Sequence, residues 1–270
     1  GLGGAVTRPS PTFGPLMRLL LTRPAADAIS LAEPLAAQGH DIIISPAIHI
    51  EPNDTPLPAP DTVQGLVFTS ANGVSAMAAR FADKRDYELW AQKPAYGVGP
   101  QTCAALAKLH WPRVHQAAGD VKTLAATIQE TFAGSDLLHI AGRHQAGDLA
   151  ALLSQSSVRV TKAVLYEAVA AEALTPLAEF ALADTQAPLE GVLLYSKRSA
   201  QIFVSLYRAH LGGLNSADTN PLTPPRKPPH KLMAYCLSAP IAEYMQSAGF
   251  ETRTAATPDN QAMLALTARG

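Results

Sequence analysis

Cysteine is scarce in this chain: Cys103 and Cys236 are the only two in 270 residues. Neither they nor the histidines show a zinc-ligand spacing, and no signal peptide is apparent, so both thiols are expected to be reduced and buried. His40, His49, His110, His115, His139, His144, His210 and His230 are scattered, without a pair at helical ligand spacing. They read mostly as surface or structural residues, and no metal site is expected. Charge is also sparse, at 16% of residues with a formal sum of −1. No global field then draws the chain to nucleic acid or an anionic membrane, and any anionic ligand must be held by local donors. Apolar runs all fall far short of a membrane span. Several motifs are missing too. Gly97-Val98-Gly99 lacks the third glycine of a dinucleotide fingerprint and the lysine of a phosphate loop. There is no G-x-S-x-G elbow for a serine nucleophile. The expected protein is soluble, cytoplasmic and monomeric, with neither nucleic-acid nor membrane partners.

Apolar residues, by contrast, make up 47% of the sequence, which suits buried parallel strands and argues against extensive disorder. They are arranged in two trios of similar segments. Leu19 to Pro24 (LLLTRP), Leu66 to Asn72 (LVFTSAN) and Tyr96 to Thr102 (YGVGPQT) are answered by Leu137 to Arg143 (LLHIAGR), Val192 to Ser199 (VLLYSKRS) and Tyr235 to Ile241 (YCLSAPI). Each is an apolar run that ends in small, hydroxylated or glycine residues before a helical pattern, the mark of a βα unit. Gly99, His110-Trp111 and Asp120 recur at unchanged spacing as Ser238, Gly249-Phe250 and Asp259.

Helices are predicted over Ala25 to Gln38, Gly73 to Ala82, Gln101 to Leu109, Val121 to Phe132, Gly147 to Ser154, Ser199 to His210, Pro240 to Ala248 and Gln261 to Ala268. The first stops at Gly39 before a strand from Asp41 to Ser45. A further strand is predicted from Val158 to Tyr166. The class is α/β: two similar lobes with parallel sheets flanked by helices, joined by a two-stranded connection. One lobe combines residues 17–47 with 169–270, the other is the inserted block 52–165, and 48–51 with 166–168 connect them. Residues 1–16 lack periodicity and are set aside as a disordered leader or an appended expression segment. Gly212 to His230, rich in proline, reads as a surface insertion.

The chemistry is expected at the strand ends, because ligands of open parallel sheets sit beyond the carboxyl ends of the strands. Two matched sets of such ends suggest a ligand held between similar lobes. Thr69, Ser70, Asn72 and Gly73 stand at one strand-to-helix junction, where free backbone N–H groups and the helix dipole favour an anion. Gly97, Gly99, Gln101 and Thr102 repeat the device. The same hydroxyl and amide side chains also serve as plain helix caps. Arg23, Arg143, Lys197 and Arg198 lie at strand ends where a side chain can meet a carboxylate or remain solvated. Arg23 stands out, since Pro24 after it fits a first helical turn.

LLLTRPAADA, FTSANGV, GVGPQTCAAL, VLYEA, LLYSKRSAQIF, CLSAPIAEYMQSAGF and PDNQAMLAL, in this order and spacing, resemble uroporphyrinogen-III synthase over nearly all of Met17 to Ala268. The resemblance implies two α/β lobes, with the N- and C-terminal parts sharing one. It implies a cofactor-independent lyase that closes the linear tetrapyrrole hydroxymethylbilane with inversion of its ring D and loss of water. Tyr166, in VLYEA, matches the tyrosine that assists departure of the hydroxyl, though an aromatic anchor at the connection is the plainer reading. Thr69, Ser70, Gly99, Gln101, Thr102, Ser196, Ser199 and Ser238 match positions facing the substrate. Arg23, Asn72, Gly142, Arg143, Lys197 and Ala239 complete the expected binding set. Ser238-Ala239-Pro240-Ile241 departs from the Gly-Pro-Thr-Thr run of many relatives, which removes a hydroxyl at position 241. A two-lobed, non-catalytic binding protein for a carboxylated small molecule would account for the repeat without using Tyr166.

Overall fold

The computed structural model describes residues 17–143, 148–213 and 231–268. The leader, most of the proline-rich insertion, His144 and His230 lie outside the described residues. In chain order the elements are β1 (Arg18–Leu21), α1 (Ala25–Ala37), β2 (Asp41–Ile44), β3 (Ile48–Pro52), β4 (Gly65–Phe68), α2 (Ala71–Ala78), α3 (Lys84–Ala91) and β5 (Ala95–Val98). They continue through α4 (Gly99–Lys108), β6 (Val114–Ala117), α5 (Val121–Thr131), β7 (Asp136–Gly142), α6 (Leu149–Leu152) and β8 (Arg159–Ala170). The chain closes with α7 (Pro176–Ala183), β9 (Gly191–Leu194), α8 (Lys197–Gly213), β10 (Met233–Cys236), α9 (Ala239–Ser247), β11 (Glu251–Thr254) and α10 (Asn260–Thr267).

Two compact units emerge. Among the described residues, those up to His49 together with those from Ala170 form one, and those within Ile50–Val169 form the other. The first carries a five-stranded sheet in the order β11-β10-β9-β1-β2, the second a six-stranded sheet in the order β3-β8-β7-β4-β5-β6. Read from its other end, the second sheet runs β6-β5-β4-β7-β8, so β10, β9 and β1 correspond to β5, β4 and β7. The register agrees residue by residue. Leu19 to Leu21 pair in parallel with Gly191 to Leu193, and Leu137 to His139 pair in the same way with Gly65 to Val67. Each sequence trio is therefore divided between the units, and each unit holds a complete set of strand ends.

Why the strands read as nearly continuous apolar runs follows from helices covering both faces of each sheet. In the first unit Leu20, Val192, Leu194, Ala234 and Cys236 enter one core, while Leu19, Leu21, Leu193 and Tyr235 enter another on the opposite face. In the second unit Leu66, Phe68, Leu138 and Ile140 fill one core, and Val67, Tyr96 and Leu137 fill the other. Period-two alternation thus sorts neighbouring leucines to opposite faces rather than to core and solvent. No helix among the described residues is long and apolar enough to cross a membrane.

Helix ends carry the repeated punctuation. Asp120 Oδ1 accepts from the Thr123 amide and Asp259 Oδ1 from the Ala262 amide, each at 2.8 Å, capping α5 and α10. The residues after the C-caps of α4 and α9, His110 and Gly249, have φ of +56° and +95°. Both are left-handed stops, with glycine supplying this conformation freely in one unit and histidine adopting it in the other.

Several boundaries differ from the sequence expectation. α2 begins at Ala71 rather than Gly73, because Ser70 caps it, and it ends at Ala78 before a separate helix, α3. Asn72 is consequently a helical residue and not part of the strand-end loop. α4 opens at Gly99, with Pro100 in its first turn, rather than at Gln101. α8 spans Lys197–Gly213 and takes in Gly212, which the sequence assigned to the insertion. α7 was not anticipated. Thr175 caps it and Pro176 starts it, but the exposed Leu177 and Phe180 blur its amphipathic pattern.

Candidate active site

The carboxyl ends of β4 and β7, with the bulged stretch of β8 beside them, bring a hydroxyl pair together in the second unit. Ser70 Oγ and Tyr166 Oη lie 2.7 Å apart. Ser70 owes its place to capping: its backbone is extended, and its Oγ accepts from the Gly73 amide at 3.3 Å. Tyr166 owes its place to a β-bulge. Ala141 pairs with Val164 but Gly142 pairs with Tyr166, so β8 carries one extra residue there. An extra residue turns the following side chain to the other face of the sheet. Ala163, Leu165 and Tyr166 accordingly all enter one core, although strict alternation would separate the last two.

Gly142 makes room for the tyrosine. A Cβ on Gly142 would lie 2.7 Å from Cε2 of the Tyr166 ring, 2.8 Å from Cζ and 3.1 Å from the phenol oxygen. Tyr166 is 6% exposed, and burial pushes its phenol above the usual value. Its bonds to Ser70 and to the Gly142 backbone pull the other way. The group is therefore a protonated phenol at neutral pH, with two hydrogen-bonding neighbours at its oxygen.

On the opposite face of the same sheet, His139 Nε2 lies 3.2 Å from Thr69 Oγ1. His139 is 6% exposed; burial, and then the charge of Lys162, its cross-strand neighbour on β8, depress its pKa to about 4. It is neutral at physiological pH. Arg143, at the end of β7, is exposed and bonds Glu167 through Nε at 2.6 Å and through Nη2 as well. Further along the sheet edge, Gly99 adopts φ +78° with open space where a Cβ would stand. Gln101 is exposed and Thr102 is buried, both within α4.

The corresponding strand ends of the first unit hold the other expected residues. Arg23 is fixed on three sides. Its Nη2 is 3.4 Å from Asp27, its Nη1 donates to Asn260 Oδ1 at 3.4 Å, and its guanidinium carbon lies 4.6 Å from the centroid of the Tyr195 ring. Cation–π contact and a carboxylate hold such a planar group in one orientation. The Tyr195 phenol is buried without a hydrogen-bond partner among the described residues, and desolvation raises it to about 12 against the opposing effect of Arg23. Ser196 Oγ accepts from the Ser199 amide at 3.0 Å and donates to Ser199 Oγ at 2.9 Å, the counterpart of the Ser70 cap. Lys197 and Arg198 are exposed in the first turn of α8. Ser238 precedes α9 without a side-chain cap bond, and Ala239 is its exposed first residue.

The structure thus joins Ser70, Gly142 and Tyr166 directly, groups Arg23 with Tyr195, and leaves Asn72 and Gln101 on helix surfaces. Sequence reasoning passed over His139, Glu167 and Tyr195. A histidine inside the apolar run LLHIAG was the available signal for the first. Among the described residues no group of His, Cys, Asp and Glu side chains could hold a metal ion.

Comparison with known proteins bears on the family and the fold. The family model "Uroporphyrinogen-III synthase HemD" matches residues 29–265. The fold is similar to the crystal structure of uroporphyrinogen-III synthetase from Helicobacter pylori 26695, with a TM-score of 0.59 at 17% identity, covering 93% of this chain and 98% of that one. A mutant uroporphyrinogen III synthase from the extremely thermophilic bacterium Thermus thermophilus aligns at a TM-score of 0.45 and 15% identity, over 92% of this chain and 96% of that one. No curated protein matches the sequence.

Proposed function

The chain belongs to the uroporphyrinogen-III synthase HemD family of tetrapyrrole biosynthesis, and from that membership we propose that it is a hydro-lyase that cyclises hydroxymethylbilane to uroporphyrinogen III. The observation that carries the mechanistic part is the contact of Tyr166, on β8, with Ser70 and Gly142 at the carboxyl ends of β4 and β7.

The reaction begins when the terminal hydroxyl of hydroxymethylbilane leaves. The C–O bond breaks, the oxygen departs as water with a proton from the Tyr166 phenol, and the pyrrole nitrogen supplies the electron pair that forms an azafulvene cation. A phenol kept protonated by burial is the right state for that donor. With the Gly142 backbone bonded to Oη and the Ser70 hydroxyl placed where it can donate to it, negative charge growing on that oxygen is met by dipoles already in place. Attack by the substituted carbon of ring D then gives a spiro intermediate. Fragmentation and re-closure invert the ring, and loss of the ring proton restores the tyrosine. The remaining requirement is to hold a flexible, carboxylate-rich chain in the folded conformation. Each unit has strand-end donors suited to carboxylates: Thr69 and the first-turn amides of α4 in the second, and Arg23, Ser238 and the first-turn amides of α8 and α9 in the first.

Purified protein supplied with freshly generated hydroxymethylbilane is expected to yield the type III isomer. Formation of the spontaneous type I isomer alone overturns the enzyme reading and leaves a carboxylate-binding protein.

A further inference from the structure

Two devices meet at the end of β4, and departure of the substrate hydroxyl as proposed uses only one. Ser70 supports Tyr166, whereas Thr69, one residue earlier and on the other face, is held by His139. The fold does not require a histidine there. In the first unit the equivalent pairing register places Leu21 opposite Leu193, where the second unit places His139 opposite Val67. Leu21 is fully buried in an otherwise parallel arrangement, so leucine suffices to fill the position. An imidazole there loses hydration that only a hydrogen bond can offset, and the bond it makes is to Thr69.

The direction of that bond decides what Thr69 can do. If Nε2 accepts, the threonine proton is consumed by the imidazole and Oγ1 presents only lone pairs to a ligand. If Nε2 carries the proton and donates, the threonine O–H is free to donate elsewhere. Thr69 is half-buried, so it retains a face toward solvent at the strand end. We propose that His139 is a positioning residue: in its Nε2–H form it donates to Thr69 Oγ1 and turns the threonine proton outward as a donor to a substrate carboxylate. This role rests on the carboxylate-rich substrate of the synthase reading, but it concerns the binding of that substrate and not departure of its hydroxyl. Lys162 and the surrounding apolar side chains keep the imidazole neutral, so a single N–H, and not an imidazolium, makes the contact.

Nitrogen-15 NMR of the histidine side chains in the wild-type protein reads the tautomer directly. An Nε2–H signal for His139, assigned by its loss in His139→Gln, is expected; an Nδ1–H tautomer overturns the proposal. Kinetics supply the second test. His139→Leu, which installs the residue used in the first unit, is expected to raise KM for hydroxymethylbilane about threefold to tenfold, the range spanned by one neutral hydrogen bond, with kcat nearly unchanged. His139→Gln, whose amide N–H reaches a similar point, is expected to restore KM to within about twofold of wild type. Thr69→Val is expected to cause little further loss in the His139→Leu background, because both changes remove one device. Full additivity, or a wild-type KM in His139→Leu, overturns the proposal. A wild-type enzyme that makes no type III isomer overturns the synthase reading instead, and the tautomer measurement distinguishes the two failures.

Discussion

Adding one methyl group at Gly142 perturbs Tyr166 without touching its chemistry. The Cβ of Gly142→Ala would stand 2.7 to 3.1 Å from three atoms of the phenol, where carbon atoms in contact settle at about 3.5–4.0 Å. The backbone of β7 is pinned between β4 and β8, so the aromatic ring must give way, by roughly 0.7–1.3 Å if the contacts are to reach ordinary separation. That movement is large enough to break the 2.7 Å contact with Ser70. Misplacing a catalytic group by about 1 Å can lower the rate by about 100-fold, whereas overpacking of this kind costs about 1–3 kcal/mol of stability. Gly142→Ala is therefore expected to fold, with a lower midpoint of thermal or urea unfolding, and to form the type III isomer roughly 10- to 100-fold more slowly. Isomer-resolved product analysis at saturating substrate measures the rate, and circular dichroism verifies the fold. A folded Gly142→Ala protein with wild-type turnover would refute the assignment of Tyr166 to the reacting centre, because the phenol cannot stay where it is.

Other expected outcomes concern stability and reactivity. His139 has an ordinary pKa of 6.5 when exposed and about 4 when folded. The unfolded chain therefore binds the extra proton between these values, and stability falls as pH drops from about 6.5 to 4. The contribution approaches about 3 kcal/mol, and urea titrations of His139→Gln should show a shallower acid limb. His110 occupies a left-handed stop at φ +56° where its counterpart is Gly249, so His110→Gly is expected to leave stability unchanged or raise it by up to about 1 kcal/mol. A clear loss in the unfolding midpoint would argue against that equivalence. Cys236 is fully buried and its thiol is pushed up to about 12 by desolvation. It should resist a thiol reagent in the native protein and react on unfolding.

Much of the fold was legible because the signals were local. Glycine at the α1 stop, aspartate before α5 and α10, and apolar runs ending in hydroxyl residues each mark a boundary by their own chemistry. The 139-residue repeat spacing from Gly99, His110 and Asp120 to Ser238, Gly249 and Asp259 also foretold equivalent elements, down to the shared backbone conformation of His110 and Gly249. β6 and β11 were harder to see, since Val114–Ala117 and Glu251–Thr254 are edge strands with exposed polar residues and no apolar run.

The site was less legible for a physical reason. Its geometry depends on pairings between distant segments and on one bulge, neither of which has a composition. Tyr166 and Gly142 were each named from sequence, but only the register shift beside Gly142 places one against the other. Arg23 was expected to face a carboxylate ligand, yet its immediate partners are Asp27, Asn260 and the ring of Tyr195. Asn72 failed as a loop residue because the cap at Ser70 starts the helix one residue before it.

Turnover by Tyr166→Phe tests the role of the phenol most directly. The substitution keeps the ring in its core and removes only the oxygen that meets Ser70. The folded variant is expected to bind substrate and still to direct product toward the type III isomer, with kcat reduced by about 100-fold or more, in the range that a lost general acid commands. An unchanged kcat in a folded Tyr166→Phe protein would contradict that role.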